Sequence, residues 1–212
     1  MSIILFDFDG VLADTLEDML GFAREACKQL GLPRNPTPAD LGALETMSFA
    51  EYGRQLRLPS QKIDEFVSLC LQRFNQRLQP PRIFDGMKQV VVETAKSNTI
   101  AIITGNTKPV VEMFLKEYDL QKHIRLIIGI EQKGTKPEKI GQALSVLAQP
   151  KDVAYMVGDA VSDIRAAREA DIKSIAVSWG HQDKSRLLVA KPDYLVESPQ
   201  ELLELFKQKE TG

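Results

Sequence analysis

Two aspartates two residues apart, Asp7 and Asp9, stand at the end of an apolar run, Ile3-Ile4-Leu5-Phe6, and Gly10 follows at once. Like charges on a crowded strand end carry a desolvation cost and repel each other unless a cation or a proton offsets both. The segment therefore reads as chemistry, with an Asp-x-Asp-Gly surface turn as the duller alternative. Three further clusters follow apolar runs: Thr104-Gly105-Asn106 after Ile103, Lys133 and Lys136 after Ile128, and Gly158-Asp159 with Asp163 after Val157. Taken singly they are a strand-to-helix loop, solvated lysines, and a turn with a surface acid paired to Arg165 or Arg168. Taken together, four acids, a hydroxyl beside a glycine and a lysine suit phosphoryl transfer. Acids at one edge suit a hard divalent cation such as Mg2+. A phosphate held by that cation, a lysine, a threonine hydroxyl and backbone N–H groups has its charge neutralised as it transfers. One carboxylate can then attack phosphorus to form an aspartyl-phosphate, while the second moves the proton.

Those residues meet only if their strands share one sheet. The short apolar runs at 3–6, 99–103, 125–128, 153–157, 174–177 and 194–196 alternate with helical patterns at about 109–115, 137–147 and 160–170. Such alternation implies an α/β fold with parallel strands covered on both faces, a Rossmann-like core. In an open parallel sheet ligands sit outside the carboxyl ends of the strands, where the unusual residues fall. Residues from about 16 to 81 carry no convincing strand. Leu16, Met19, Leu20, Ala23, Cys27 and Leu30 keep helical spacing after a possible Asp14 or Thr15 cap, and Gly31 and Pro33 stop that helix. One or two short helices entered through Thr37-Pro38 follow. A longer helix from Ser60 carries Ile63, Phe66, Val67, Cys70, Leu71 and Phe74 and ends before Pro80-Pro81. The expected organisation is a catalytic core of residues 1–15 and 82–212 with an inserted all-helical cap of residues 16–81.

Composition narrows the partners. Over 212 residues, 27 Lys and Arg nearly balance 29 Asp and Glu, which leaves no electrostatic footprint for nucleic acid or an anionic membrane. No apolar stretch reaches membrane-spanning length, and no basic leader precedes the first strand, so a cytoplasmic location is expected. Cys27 and Cys70 fall on apolar helix faces and read as reduced core residues. His123 and His181 join no cluster and read as solvated or packing residues, and Trp179 reads as a packing anchor.

Nearly the whole chain resembles the haloacid dehalogenase superfamily, specifically its phosphatases with a helical cap after the first strand. Asp7-Phe8-Asp9-Gly10-Val11-Leu12-Ala13-Asp14-Thr15 is similar to that family's first motif, Ile102-Ile103-Thr104-Gly105-Asn106 to the second, and Gly158-Asp159-Ala160-Val161-Ser162-Asp163 to the fourth. The resemblance implies Asp7 as nucleophile and Asp9 as general acid and base, with Thr104 and Lys136 completing the catalytic set. It implies Mg2+ held by Asp7, the backbone carbonyl of Asp9, Asp159 and Asp163, and phosphate bound by Gly10, Thr104, Gly105, Asn106 and Lys136. Lys133 remains a rival for the lysine, because Lys136-Pro137-Glu138-Lys139 lacks a second proline common in the family. Two more residues than usual also separate Thr104 from Lys108-Pro109.

Val177-Ser178-Trp179-Gly180, Lys191-Pro192-Asp193-Tyr194 and Phe84-Asp85-Gly86-Met87 resemble the phosphoglycolate phosphatase-like branch, which implies a small phosphorylated metabolite as substrate and a monomer or weak homodimer. A β-phosphoglucomutase-like sugar-phosphate mutase and a phosphate-binding protein without turnover are the alternatives. Asp9 argues against a dehalogenase, and the solvent-facing placement of Lys28 and Lys62 against a Schiff-base phosphonate hydrolase. Glu45, Thr46, Arg54 and Arg57 are the expected cap residues facing the leaving group.

Overall fold

The structure is a computed structural model and describes residues 1–77 and 79–210. Six parallel strands form one sheet: β1 (Ile3–Phe6), β4 (Thr99–Ile103), β5 (Leu126–Ile128), β6 (Ala154–Gly158), β7 (Lys173–Val177) and β8 (Tyr194–Val196), in the order β5-β4-β1-β6-β7-β8. Period-two alternation assigns the two faces. Ile4 and Phe6 pack with α5 (Met87–Thr94), α6 (Lys108–Glu117) and α10 (Pro199–Glu210), whereas Ile3 and Leu5 pack with α7 (Lys136–Val146) and α8 (Val161–Glu169). With both faces covered, β1 is fully buried, which is why it reads as a continuous apolar run.

The chain leaves β1 to build β4 and β5 on one side, then returns to build β6, β7 and β8 on the other. The strand order thus reverses at β1, and a crevice opens at the carboxyl ends of its neighbours. Asp7 and Asp9 are the first polar side chains beyond that strand.

Residues between β1 and β4 form α1 (Leu16–Gln29), α2 (Pro38–Gly42), α3 (Phe49–Gln55) and α4 (Ser60–Asn75). Thr37 and Asp40 cap each other's backbone N–H groups at the start of α2, and Ser48 accepts from Glu51 N at the start of α3. Leu20, Cys27, Leu41, Tyr52, Phe66 and Cys70 are buried in an apolar cluster of these helices, distinct from those of the sheet. Both cysteines are free and buried, as their helical positions predict. A two-stranded antiparallel pair, β2 (Ala13–Asp14) with β3 (Arg82–Ile83), ties together the two ends of the helical insert. Among the described residues no helix is long and apolar enough to cross a membrane.

Candidate active site

The floor of the crevice is built from four strand ends. Asp7 follows β1, and its Oδ2 accepts from Lys136 Nζ at 2.8 Å while Oδ1 accepts from the backbone N–H of Phe8. The same Nζ reaches Asp163 Oδ1 at 2.5 Å, so a lysine in the first turn of α7 bridges acids 156 residues apart in sequence. Asp163 is held from its other oxygen by the backbone N–H of Ala160, at the start of α8. Asp159, fully buried after β6, accepts from the backbone N–H of His181 at 2.7 Å and lies 2.8 Å from its Nδ1.

Asp7, Asp159 and Asp163 bring carboxylate oxygens within 4.8 Å of one another. An all-oxygen set this compact, buried and anionic fits a hard divalent cation. Asp9 lies beside the trio but its carboxylate turns elsewhere: Asn106 Nδ2 donates to it at 3.2 Å, and Thr15 is its other hydrogen-bond partner.

Electrostatics follow from this crowding. Burial pushes the Asp7 carboxyl above its ordinary value despite Lys136, with Asp159 and Asp9 adding to the rise. Burial likewise raises Asp163, to about 7, against the pull of Lys136. Burial alone would lower Lys136, but Asp163 and Asp7 outweigh it and hold the ammonium charged. Asp9 is raised by burial, with His181, Asn106 and Thr15 opposing. Desolvation would lower the buried ring of His181, but Asp159 together with Asp9 and Asp7 outweighs it and raises its pKa.

Glycines make the packing possible. Gly10 adopts φ +76°, and a Cβ there would overlap the Asp159 carboxylate and the His181 ring. A Cβ at Gly180 would also strike Asp159, and one at Gly158 would strike Asp163. Gly105 is different: it is exposed on the cavity wall, with open space where a Cβ would stand.

Asp7, Asp9, Gly105, Asn106, Lys136 and His181 line a cavity of about 440 Å³, together with Thr104, Lys139 and residues of the helical insert. Lys139 is buried with its Nζ donating to Gly129 O at 2.7 Å, and burial lowers its pKa. A larger groove of about 580 Å³ runs between α6 and β5, lined by residues such as Lys108, Glu112 and Arg125, and contains none of Asp7, Asp9, Asp159 and Asp163.

The sequence-derived set thus converges: Asp7, Asp9, Thr104, Gly105, Asn106 and Lys136 all line one cavity, with Gly10, Asp159 and Asp163 packed around its acids. Asp163 is no surface acid; it is buried and paired with Lys136 rather than with Arg165 or Arg168. Between the two rival lysines, Lys136 faces Asp7 and Lys133 is exposed. Asn106 spends its side chain internally, its Oδ1 accepting from Thr107 N while its amide holds Asp9.

His181 corrects its sequence reading. It is neither solvated nor mere packing, but a buried partner of Asp159 whose Nε2 lies 3.4 Å from Thr15 Oγ1. The strand-end rule pointed there, since Gly180-His181-Gln182 lies just beyond β7. Thr15 is diverted to the same cluster and makes no side-chain cap on α1. Trp179 does pack as expected, its Nε1 donating to Val11 O. Of the expected insert residues, Thr46 lines the cavity; Glu45 instead pairs with Arg165 and Arg186, and Arg54 and Arg57 are exposed away from it.

Comparison with known proteins agrees with this layout. The family model for haloacid dehalogenase-like hydrolases matches residues 4–177. A phosphoglycolate phosphatase of Synechococcus elongatus is 29% identical over 215 residues, covering 98% of each chain. The pyrophosphatase PpaX of Bacillus mycoides is 25% identical over 217 residues, again covering 98% of each. A haloacid dehalogenase-like family hydrolase from Streptococcus pneumoniae shares the fold, with a TM-score of 0.85 at 23% identity over 97% of this chain and 98% of that one.

Proposed function

The chain belongs to the haloacid dehalogenase-like hydrolase family, and from that premise we propose that it is a phosphatase cleaving small phosphomonoesters by way of an aspartyl-phosphate on Asp7. The observation that carries this reading is the Asp7–Lys136–Asp163 chain at the cavity floor, half-buried at Asp7 and Lys136 and buried at Asp163, with Asp159 beside it. A nucleophilic carboxylate must be ionised and close to the phosphorus, and the ammonium of Lys136 opposes the burial that raises the Asp7 carboxyl above its ordinary value.

In the first step an Asp7 oxygen forms the bond to phosphorus and the ester P–O bond breaks. The departing alkoxide takes its proton from Asp9, whose pKa burial raises and whose carboxyl Asn106 and Thr15 hold in place. Asp9, now ionised, accepts a proton from water, and the resulting hydroxide attacks the phosphoryl group to regenerate Asp7 and release phosphate. Thr104, the backbone around Gly105 and Lys136 bind the phosphoryl oxygens throughout. Asp7, Asp159 and Asp163, with the main-chain carbonyl of Asp9, would hold Mg2+, which when bound supplies positive charge against the phosphoryl oxygens. His181 is a positioning residue for Asp159. The helices of residues 16–81 act as a cap over this floor, hinged at the β2–β3 pair that joins residues 1–15 to residues 82–212.

The test is phosphate release from a panel of phosphomonoesters with Mg2+, with EDTA, and with Asp7→Asn. Turnover that depends on the metal and falls at least about 10⁴-fold in Asp7→Asn is expected. Turnover indifferent to Asp7→Asn, or isomerisation of a sugar phosphate without phosphate release, overturns the reading.

A further inference from the structure

The two sides of the cavity differ in kind. Its cations, Lys136 and Lys139, belong to the sheet side and sit with the acids at the phosphoryl end. The side contributed by the helical insert presents Met47, Phe49, Leu71 and Phe74, and its polar lining side chains are the hydroxyls of Thr46 and Ser48. Ser48 is already committed, since its Oγ accepts from Glu51 N. No charged side chain of the insert is among the described residues lining the cavity. Arg77, whose charge Asp9 senses, stands behind this wall: its guanidinium lies 4.9 Å from the Phe74 ring centroid and pairs with Asp18 through Nη2 at 2.9 Å, while its Nε and Nη1 are buried without a hydrogen-bond partner and do not line the cavity. Arg165 and Arg186, on the core, are occupied by Glu45.

Leu71 and Ile130 add a second observation. Both are large apolar side chains left exposed to solvent, and they line the same cavity from opposite sides, Leu71 from α4 and Ile130 from the loop after β5. With Met47, Phe49 and Phe74 they make the cavity mouth apolar, and an apolar ligand would cover these side chains.

We infer that the leaving group is an uncharged, apolar alcohol, aromatic or branched aliphatic, so that the substrate class is the monophosphate ester of such an alcohol. The inference rests on the phosphatase reading and narrows it. A carboxylate or a second phosphate in the leaving-group position would be buried against Phe49, Met47 and Leu71 with no cationic side chain on the wall it faces, an arrangement that disfavours the charged form. An apolar group there gains by leaving water. The space, about 440 Å³, lies within the roughly 300–1,000 Å³ typical of small-molecule sites. On this ground the chain departs from the substrate that the name of its Synechococcus relative indicates, and from a pyrophosphate substrate.

Two measurements separate the inference from the reading it rests on. Binding of the non-hydrolysable probes benzylphosphonate and phosphonoacetate, by calorimetry with Mg2+ present, reads the wall without requiring turnover. Turnover of benzyl phosphate, 2-phosphoglycolate and pyrophosphate reads the reaction. Benzylphosphonate is expected to bind at least tenfold tighter than phosphonoacetate, and kcat/KM for benzyl phosphate to exceed that for 2-phosphoglycolate by roughly 10²-fold. Leu71→Arg, on an exposed position, should narrow or reverse both preferences, and Thr46→Arg serves the same purpose should the first variant fail to fold. Equal or tighter binding of phosphonoacetate overturns the inference, as does an unchanged preference in a folded arginine variant or a kcat/KM that favours 2-phosphoglycolate or pyrophosphate. Selective binding of benzylphosphonate with no hydrolysis of any ester supports the apolar wall and overturns the phosphatase reading instead.

Discussion

The sheet edge and the helical insert meet across one cavity but are built on opposite principles. At the sheet edge nearly every polar atom is spoken for: Lys136 spans Asp7 and Asp163, His181 holds Asp159, and Asn106 holds Asp9. Glycines at 10, 158 and 180 remove the side-chain carbon that would force those groups apart. The insert face is apolar and adaptable, formed by methionine, phenylalanine and leucine side chains without fixed directions of interaction. The difference teaches where each property resides. On the proposed reading, reaction class requires charges held in register and belongs to the sheet edge, whereas choice of leaving group requires only a surface of suitable polarity and belongs to the insert.

The strongest way to break that division is to unbalance the charged side. Lys136→Met leaves Asp7 and Asp163 facing Asp159 without their shared cation. Phosphate release should fall by about 10²–10³-fold for every ester alike, because the loss acts on the phosphoryl end. The ratio of kcat/KM between an apolar and an acidic ester should stay the same. A changed ratio would show that the two sides are not independent. Thermal denaturation with and without Mg2+ supplies a second readout: the variant should gain more from added Mg2+ than the parent does, since it has lost its internal counter-ion.

Next in size is Gly10→Ala. The methyl group would collide with the Asp159 carboxylate and the His181 ring at a backbone angle of +76° that L residues rarely adopt. Strain and overpacking together should cost about 2–4 kcal/mol in urea unfolding. Gly105→Ala, at a position with open space and no positive φ, is the matched control and should leave stability within about 1 kcal/mol.

The same asymmetry explains what the sequence discloses. The charged side is legible because Asp7, Thr104 and Asp159 follow directly on buried strands, so an apolar run ending in Asp or Thr-Gly reports its own position. The sheet was readable for the same reason: β1 is buried on both faces and carries no alternation to mislead. His181 escaped because a lone histidine after Trp179 and Gly180 forms no pattern; only its place beyond β7 marks it. Lys139 escaped because it falls among other lysines, and nothing local tells that its amine turns inward to Gly129 O. On the insert, Leu71 sits in the same helical stripe as Phe66 and Cys70, yet those two are core and Leu71 lines the cavity. Periodicity separates apolar from polar faces, but not an apolar face turned to a core from one turned to a ligand. Glu45 was misplaced for a related reason: its partners Arg165 and Arg186 lie 120 and 141 residues away, beyond any local signal.

The contacts that join the two sides give the smaller effects. Gln182 is buried, accepts from Val161 N at 2.8 Å and donates to Leu44 O at 2.6 Å, so it ties the first turn of α8 to the insert. Gln182→Leu strands the backbone N–H of Val161 and removes one of the two bonds to Leu44 O, which keeps Arg186 Nη2, and should cost about 1–3 kcal/mol, measured by denaturant unfolding. It should also raise KM without reordering the preference among esters, because no wall residue changes.

Glu45→Gln is the mildest test. Glu45 reaches Arg165 and Arg186 at 2.8 Å each, but its side chain is 55% exposed and that of Arg165 56% exposed, so water and salt screen most of the attraction. Exposed pairs of this kind are worth at most about 1 kcal/mol, and global stability should move by less than that. The informative quantity is the ionic-strength dependence of KM. If the pair holds the insert down over the floor, KM should rise about two- to threefold in the variant at low salt, and the difference should vanish at high salt, where the parent loses the same attraction. A salt-independent difference would place Glu45 in direct contact with substrate, returning it to the wall and adding a charge to a surface otherwise without one. The low-salt and high-salt ratios therefore decide whether Glu45 serves closure or selection.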